Sequence, residues 1–272
     1  MNPVAFTIGS FSITWYSIII LAGVIIAWIF ITGESKRFGI KSDFVVNLLF
    51  WTILMGILGA RIYYVVFKWS YYSKHISEIF KVWEGGLAIH GGILFGLITL
   101  ILYCKKYKMS ALRMLDIAAP YVLFAQALGR WGNFFNQEAY GTMTTLENLR
   151  SLKFIPDFVI FGMNINGNYY TPTFYYESLW CLLGFIILVI FRRFKYVRVG
   201  QTVGLYFIWY SIGRFYIESL RLDSLMLGNF KVAQLVSAAL FVIGLIIILI
   251  QSRKPKLEDM YNNKEKVEVV NF

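Results

Sequence analysis

Seven stretches of the chain are apolar for long enough to cross a bilayer as helices: residues 13–31, 44–67, 87–103, 111–135, 173–191, 203–221 and 232–251. About 20 residues at a helical rise match the ~30 Å hydrocarbon layer, so this pattern predicts an all-α membrane protein with about seven spans. Two segments break the alternation of apolar run and short polar loop. Residues 137–172 are too long for a simple connection. Within them, 158–163 and 168–171 flank Asn166-Gly167, a pair suited to the positive φ angles of a tight hairpin, so a small head containing a β-hairpin is expected. From residue 254 the chain alternates Lys with Glu and has little apolar content, which predicts a disordered tail at 254–272 after a transmembrane domain at 1–253. No positive charge precedes the first run and no small-residue cleavage pattern follows it, so that run reads as a retained helix. No internal repeat of the kind many transporters carry is present.

Composition agrees: 58% of residues are hydrophobic and mean hydropathy is +0.62, more apolar surface than one soluble core can bury. The 18% aromatic content fits a protein with interfacial belts. A net charge of +11 would suit a nucleic-acid binder if it were gathered on one face, but it is scattered among short loops. There it reports topology and anionic lipid instead. The loops after spans one, three, five and seven hold 14 Lys and Arg residues and the intervening segments hold 6, which places the N-terminus outside and the C-terminus in the cytoplasm. Cys104 and Cys181 lack C-x-x-C spacing, which argues against a disulfide framework and a Zn site.

With that topology, the ionisable residues inside the spans have depths. An arginine in hydrocarbon costs roughly 3 kcal/mol on insertion scales, so each is a functional candidate. Arg61, Arg130, Arg214, Arg221, His90, Tyr16, Tyr176 and Glu177 all fall in the outward half, whereas the inward halves are nearly uniformly apolar. Tyr210, Arg214, Glu218 and Arg221 follow at i, i+4, i+8 and i+11, one face of a helix. Glu218 fits either a role in the site or simple neutralisation of its arginine neighbours. Arg61 fits either an anion site or snorkelling to the interface. His90-Gly91-Gly92 opens the third span, where unpaired backbone N–H groups suit an anion. The Gly92/Gly96 spacing suits helix packing. Asp116, at the other end of the fourth span, is explained by helix capping or by pairing with Arg113.

The densest polar stretch is Gly129-Arg130-Trp131-Gly132-Asn133-Phe134-Phe135-Asn136-Gln137-Glu138. It resembles the G-R-x-G-N-F-x-N-x-E signature of the bacterial prolipoprotein diacylglyceryl transferases. The resemblance extends to Trp15-Tyr16, Gly59-Ala60-Arg61, His90-Gly91-Gly92, Tyr176-Glu177 and Tyr210 to Arg221, and so over nearly the whole chain. It implies a multi-pass enzyme of the bacterial cell membrane, with its site toward the outer face and no metal or cofactor. The implied reaction moves the sn-1,2-diacylglyceryl group of phosphatidylglycerol to the lipobox cysteine of a prolipoprotein signal peptide and releases glycerol phosphate. On that reading Arg130 and Arg214 hold the phosphate, and Asn133, Asn136, Glu138, Glu218, Arg221, Arg61, Gly91 and Gly92 complete the substrate site. His90 is the candidate base, with Tyr16 and Tyr210 positioning substrate or relaying a proton. An organic-anion transporter would need polar residues continuing across the membrane. A histidine phosphatase would need K-x6-R-P and S-G-H runs, and both are missing from the sequence.

Overall fold

The computed structural model describes residues 1–272 except 10, 223, 255–258 and 264–272. The chain is predominantly helical and divides into two compact units, residues 1–30 with 115–263, and residues 31–114. An N-terminal hairpin of β1 (Val4–Ile8) and β2 (Phe11–Thr14) leads directly into α1 (Trp15–Lys36). The hydropathy pattern does not announce this hairpin, because its residues merge into the apolar run that follows.

The second unit is built on α2 (Ser42–Phe67), the single-turn α3 (Trp69–Tyr72), 3-10 turns at Ile76–Phe80 and Val82–Glu84, and α4 (Ile89–Lys106). Helices α2 and α4 cross tightly because glycine removes the side chains between them. A Cβ on Gly91 would lie 2.4 Å from the Gly59 carbonyl oxygen, and one on Gly59 would lie 2.3 Å from Phe95. Gly92 and Gly96 approach Gly56 and Thr52 of α2, so the expected packing role of that spacing is visible.

The first unit contains α5 (Ala111–Asn136, from residue 115), a head, and three more long helices. The head runs through β3 (Met143–Thr144), α6 (Leu146–Ser151), α7 (Asp157–Gly162), β4 (Asn164–Ile165) and β5 (Asn168–Tyr170). Strands β4 and β5 pair across Asn166-Gly167, both at positive φ (52° and 86°), so the turn chemistry acts as its residue types dictate. The first arm differs from expectation: residues 158–162 belong to α7, because the head buries Val159, Ile160 and Met163 on a helical repeat rather than an alternating one. Then come α8 (Thr173–Phe191), α9 (Gln201–Leu220), a short hairpin of β6 (Met226–Leu227) and β7 (Phe230–Lys231), and α10 (Val232–Ser252).

Among the described residues, seven helices thus reach 18 residues, and six of them are long and apolar enough to cross a membrane. The exception is α9, whose Gln201, Arg214, Glu218 and three tyrosines dilute its apolar face. The predicted tail is ordered in part. Val199 donates its N–H to the Asp259 carbonyl, Tyr261 donates to Val197 and is fully buried, and Asn262 caps the end of α8 through the carbonyls of Arg192 and Phe194. That docking rests on a few particular residues, which average composition does not reveal. Residues 255–258 and 264–272 of the expected tail lie outside the described residues.

Gly91→Ala separates helix propensity from packing. Alanine favours an isolated helix by about 1 kcal/mol over glycine. Here its methyl would meet backbone, so the variant should melt at a lower temperature than the unaltered protein in detergent-solubilised thermal unfolding.

Candidate functional site

The signature spans the last two turns of α5 and the turn into the head. Its glycines are occupied by α1: a Cβ on Gly132 would lie 2.3 Å from the Tyr16 ring, and one on Gly129 would lie 3.2 Å from Ile20. The signature is anchored on its other flank by Trp131, which donates Nε1–H to Ser178 Oγ at 3.2 Å. Ser178 in turn donates to the Ala127 carbonyl at 3.0 Å, bonding α8 to α5. Phe134 enters the head core with Leu149, Ile155, Val159 and Phe174, and the space opposite its ring is left by Gly162. The apolar letters of the signature therefore hold the head, and its polar letters are left to face each other.

Asn133 and Asn136 both donate Nδ2–H to Glu138 Oε1, at 2.9 and 3.3 Å. The turn that brings Glu138 back over the helix end needs Gln137 and Ala139 at positive φ (49° and 56°). Gln137 is fixed by donating to the Gly162 carbonyl and accepting from the Met1 ammonium.

The charged centre is formed by three helices. Glu177 of α8, 4% exposed at its side chain, receives Arg130 Nη2 at 2.5 Å on Oε1 and Arg214 Nη1 at 3.5 Å on Oε2. Arg214 Nη2 also meets Glu218 Oε2, one turn along α9, at 2.7 Å. The two arginines retain 22% and 16% side-chain exposure, so the carboxylates are sealed while the cations stay partly accessible. Each guanidinium carries five N–H donors, and among the described residues the carboxylate contact to Arg130 runs through Nη2. Tyr210 lies within electrostatic range of Glu177, Arg130 and Arg214, and its ring stacks on Tyr206 at 6.1 Å between centroids. Glu177 stood among the outward ionisable residues, but its position between both arginines was not legible, because sequence spacing relates residues on one helix only.

A reciprocal tryptophan pair registers α8 against α9. Trp180 donates its indole N–H to the Trp209 carbonyl at 2.9 Å and Trp209 to the Trp180 carbonyl at 3.0 Å, their rings stacked at 4.3 Å. Each ring lies over a glycine of the opposite helix: Gly213 under Trp180 and Gly184 under Trp209. The W-x3-G spacing present in both helices is the sequence signal of this pair. Arg221 follows the end of α9, bridged to Gly141, and its carbonyl accepts from Lys231 Nζ.

The other predicted residues belong to the second unit. Arg61 is buried and spends its guanidinium on backbone: Nε to Ile79 O, Nη1 to Gly85 O and Gly86 O, and Nη2 to Glu78 O, at 2.6–3.0 Å. It clamps the 76–86 loop, a third possibility beside anion binding and snorkelling. His90 stands exposed in the first turn of α4, its ring 6.3 Å from that of Tyr63. Gly91 and Gly92 face α2, and Gly92 N–H is bonded to Ala88 O at 3.2 Å. Among the described residues, no group of three or more His, Cys, Asp or Glu is arranged to hold a metal.

A family model described as prolipoprotein diacylglyceryl transferase matches residues 3–250. The chain belongs to the prolipoprotein diacylglyceryl transferase family. It is 50% identical to the phosphatidylglycerol–prolipoprotein diacylglyceryl transferase of Staphylococcus haemolyticus over 92% of this chain and 88% of that one. The protein of the same name from Limosilactobacillus reuteri is 48% identical over 93% and 92%, and that of Listeria monocytogenes 46% over 98% and 95%. The family match ends within α10, so the ordered segment at 259–263 lies beyond it.

The Arg130–Glu177 contact is open to a double-mutant cycle with Arg130→Gln and Glu177→Gln. Arg130→Gln leaves Glu177 with only the longer Arg214 contact, Glu177→Gln leaves Arg130 without this carboxylate, and the double change removes both charges. A coupling of about 1–3 kcal/mol in detergent unfolding is expected; strict additivity would show the pair contributes nothing to stability.

Proposed function

We propose that this chain transfers the sn-1,2-diacylglyceryl group from phosphatidylglycerol to the lipobox cysteine thiol of prolipoproteins. The thiol sulfur bonds to the glyceryl sn-3 carbon, the C–O bond from that carbon to phosphate breaks, and glycerol phosphate leaves with the bonding electrons. The observation that carries this reading is the pair of partly accessible guanidiniums held by the sealed carboxylate of Glu177. A carboxylate bridging two arginines fixes their spacing before any ligand arrives, so little ordering entropy remains when a phosphate binds. The donors left on Arg130 and Arg214 then meet the phosphate oxygens, where charge grows as the C–O bond breaks.

Four charges in the centre, Arg130, Arg214, Glu177 and Glu218, sum to zero. That suits insertion of the helices into hydrocarbon, and it makes donor geometry rather than net charge the source of phosphate affinity. Asn133 and Asn136, held by Glu138, supply further donors, and Arg221 extends the basic rim. Tyr210 and Tyr16 border the site and position the reacting groups. A free thiol is only a few per cent ionised at pH 7, so it requires a base or a positive field. His90 is the candidate base for that proton. Arg61, Gly91 and Gly92 support the second unit's outward loop and the α2–α4 crossing.

The active site faces the outer side of the bacterial cell membrane in this reading, with seven spans, the N-terminus and head outside and the C-terminus in the cytoplasm. The loop charges support that orientation: 14 basic residues against 6.

Purified protein incubated with phosphatidylglycerol labelled in its acyl chains should label a lipobox peptide at cysteine but not the Cys→Ser peptide; no label on cysteine would refute the reading. Arg130→Lys should lower turnover about 100-fold, since an ammonium lacks the paired donors. Wild-type turnover by that variant would count against the phosphate clamp. His90→Gln should reduce turnover most at low pH, where little thiolate forms unaided. An unchanged rate across pH removes His90 as the base and leaves the clamp standing.

A further inference from the structure

At the end of the first unit opposite the head, a second buried polar centre is left unused by the transfer chemistry. Asp116 of α5 is 0% exposed. Its Oδ2 accepts from Gly200 N–H at 2.5 Å and its Oδ1 from Val203 N–H at 2.8 Å. These are unpaired donors at the start of α9, so the carboxylate caps a helix other than its own, with the favourable end of the α9 dipole. The turn is specific: Gly200 sits at φ +98°, and a Cβ there would lie 2.9 Å from Gln251.

The loop that delivers Gly200 is held from three further directions. Arg192 is fully buried, donates Nη2–H to the Tyr121 hydroxyl of α5 at 2.6 Å, and lies over that ring. Gln201 and Arg198 bond to Ser252 at the end of α10. The segment at 259–263 adds the backbone bonds of Asp259 and Tyr261 to Val199 and Val197.

We propose that Asp116 is a positioning residue that sets the register of α9 against α5, and so of Arg214 against Arg130. α5 bears Asp116 near one end and Arg130 near the other, and α9 bears the capped amides at its start and Arg214 in its last two turns. Two stiff helices tied at one end can be displaced at the other only by a tilt or an axial slide. The Asp116 carboxylate opposes both, through two bonds to the backbone of the first turn of α9. Displacement of a reacting group by about 1 Å can cost 100-fold in rate.

The kinetic arm of the test rests on the transferase reading, and the exchange arm does not. In Asp116→Asn, which keeps shape and one acceptor, turnover should fall about tenfold. KM for phosphatidylglycerol should stay within about twofold, because the arginines remain present. Asp116→Ala should lose about 100-fold, and Asp116→Glu should fail to restore the rate because its longer arm misplaces the cap. Hydrogen exchange at the Gly200–Val203 amides should quicken in the Asn and Ala variants. Unaltered exchange in both, or faster exchange with turnover within twofold of normal, overturns the proposal. Should the unaltered protein transfer no lipid, the functional reading fails by itself. Register is then decided by the distance between nitroxides on Val122→Cys and Tyr216→Cys, with Cys104 and Cys181 replaced by alanine. A distribution broadened by Asp116→Asn supports the proposal, and an unchanged one overturns it.

Discussion

Everything at the charged centre depends on one carboxylate placed between two guanidiniums in an apolar surround. Glu177 receives Arg130 from α5 and Arg214 from α9, so three helices share one electrostatic junction. Neither arginine could be placed in hydrocarbon cheaply by itself, and Glu177 buried without them would be costlier still. Together the charges neutralise, and the pairing of Arg130 and Arg214 with Glu177 is met by the relative placement of three helices that the fold adopts. The burial cost thus acts as a constraint on geometry as much as a loss of stability.

The remaining packing serves that placement. Trp180 and Trp209 exchange indole N–H bonds across α8 and α9, each seated over an opposing glycine. Ser178, the residue after Glu177, ties α8 to α5 through Trp131 and Ala127. The head is fastened by Phe134 from within the signature, so the same ten residues carry both the polar groups and the hydrophobic peg of the adjoining fold. Position-specific contacts of this kind explain why a short signature can be recognised in a chain otherwise dominated by interchangeable Leu, Ile and Val.

Hydropathy made the long helices legible, within a few residues at each end, because bilayer thickness imposes a length that any apolar sequence must meet. It blurred where polar faces intrude, as in α9, and was silent about the hairpin before α1. The arginines, His90 and the Tyr210–Arg214–Glu218 face were visible as expensive residues with helical spacing. Which carboxylate meets which arginine was not, since Glu177 lies 47 residues beyond Arg130 and 37 before Arg214. Arg61 shows the same limit: its GAR context and depth suited an anion site, while its carbonyl partners lie in a loop with no periodicity to read. Asp116 read as a helix cap or a partner of Arg113, and the α9 amides it caps were out of reach of that reading because they come 84 residues later.

The buried Tyr261 has a consequence for the order in which this chain can be completed. Its partners, Val197 and the end of α8, are synthesised before α10 exists, and the segment that covers them follows α10. Until the last long helix has been made and inserted, the loop at 192–199 therefore lacks its cover, and the carbonyls of Arg192 and Phe194 lack their asparagine cap. The closing contact spans about 70 residues of intervening chain, an expensive loop to shut early and a favourable one once both helices stand in the bilayer. Assembly of this end is thereby coupled to completion of the membrane domain, and a nascent chain stalled before α10 would present an unfinished loop to the cell's quality-control machinery.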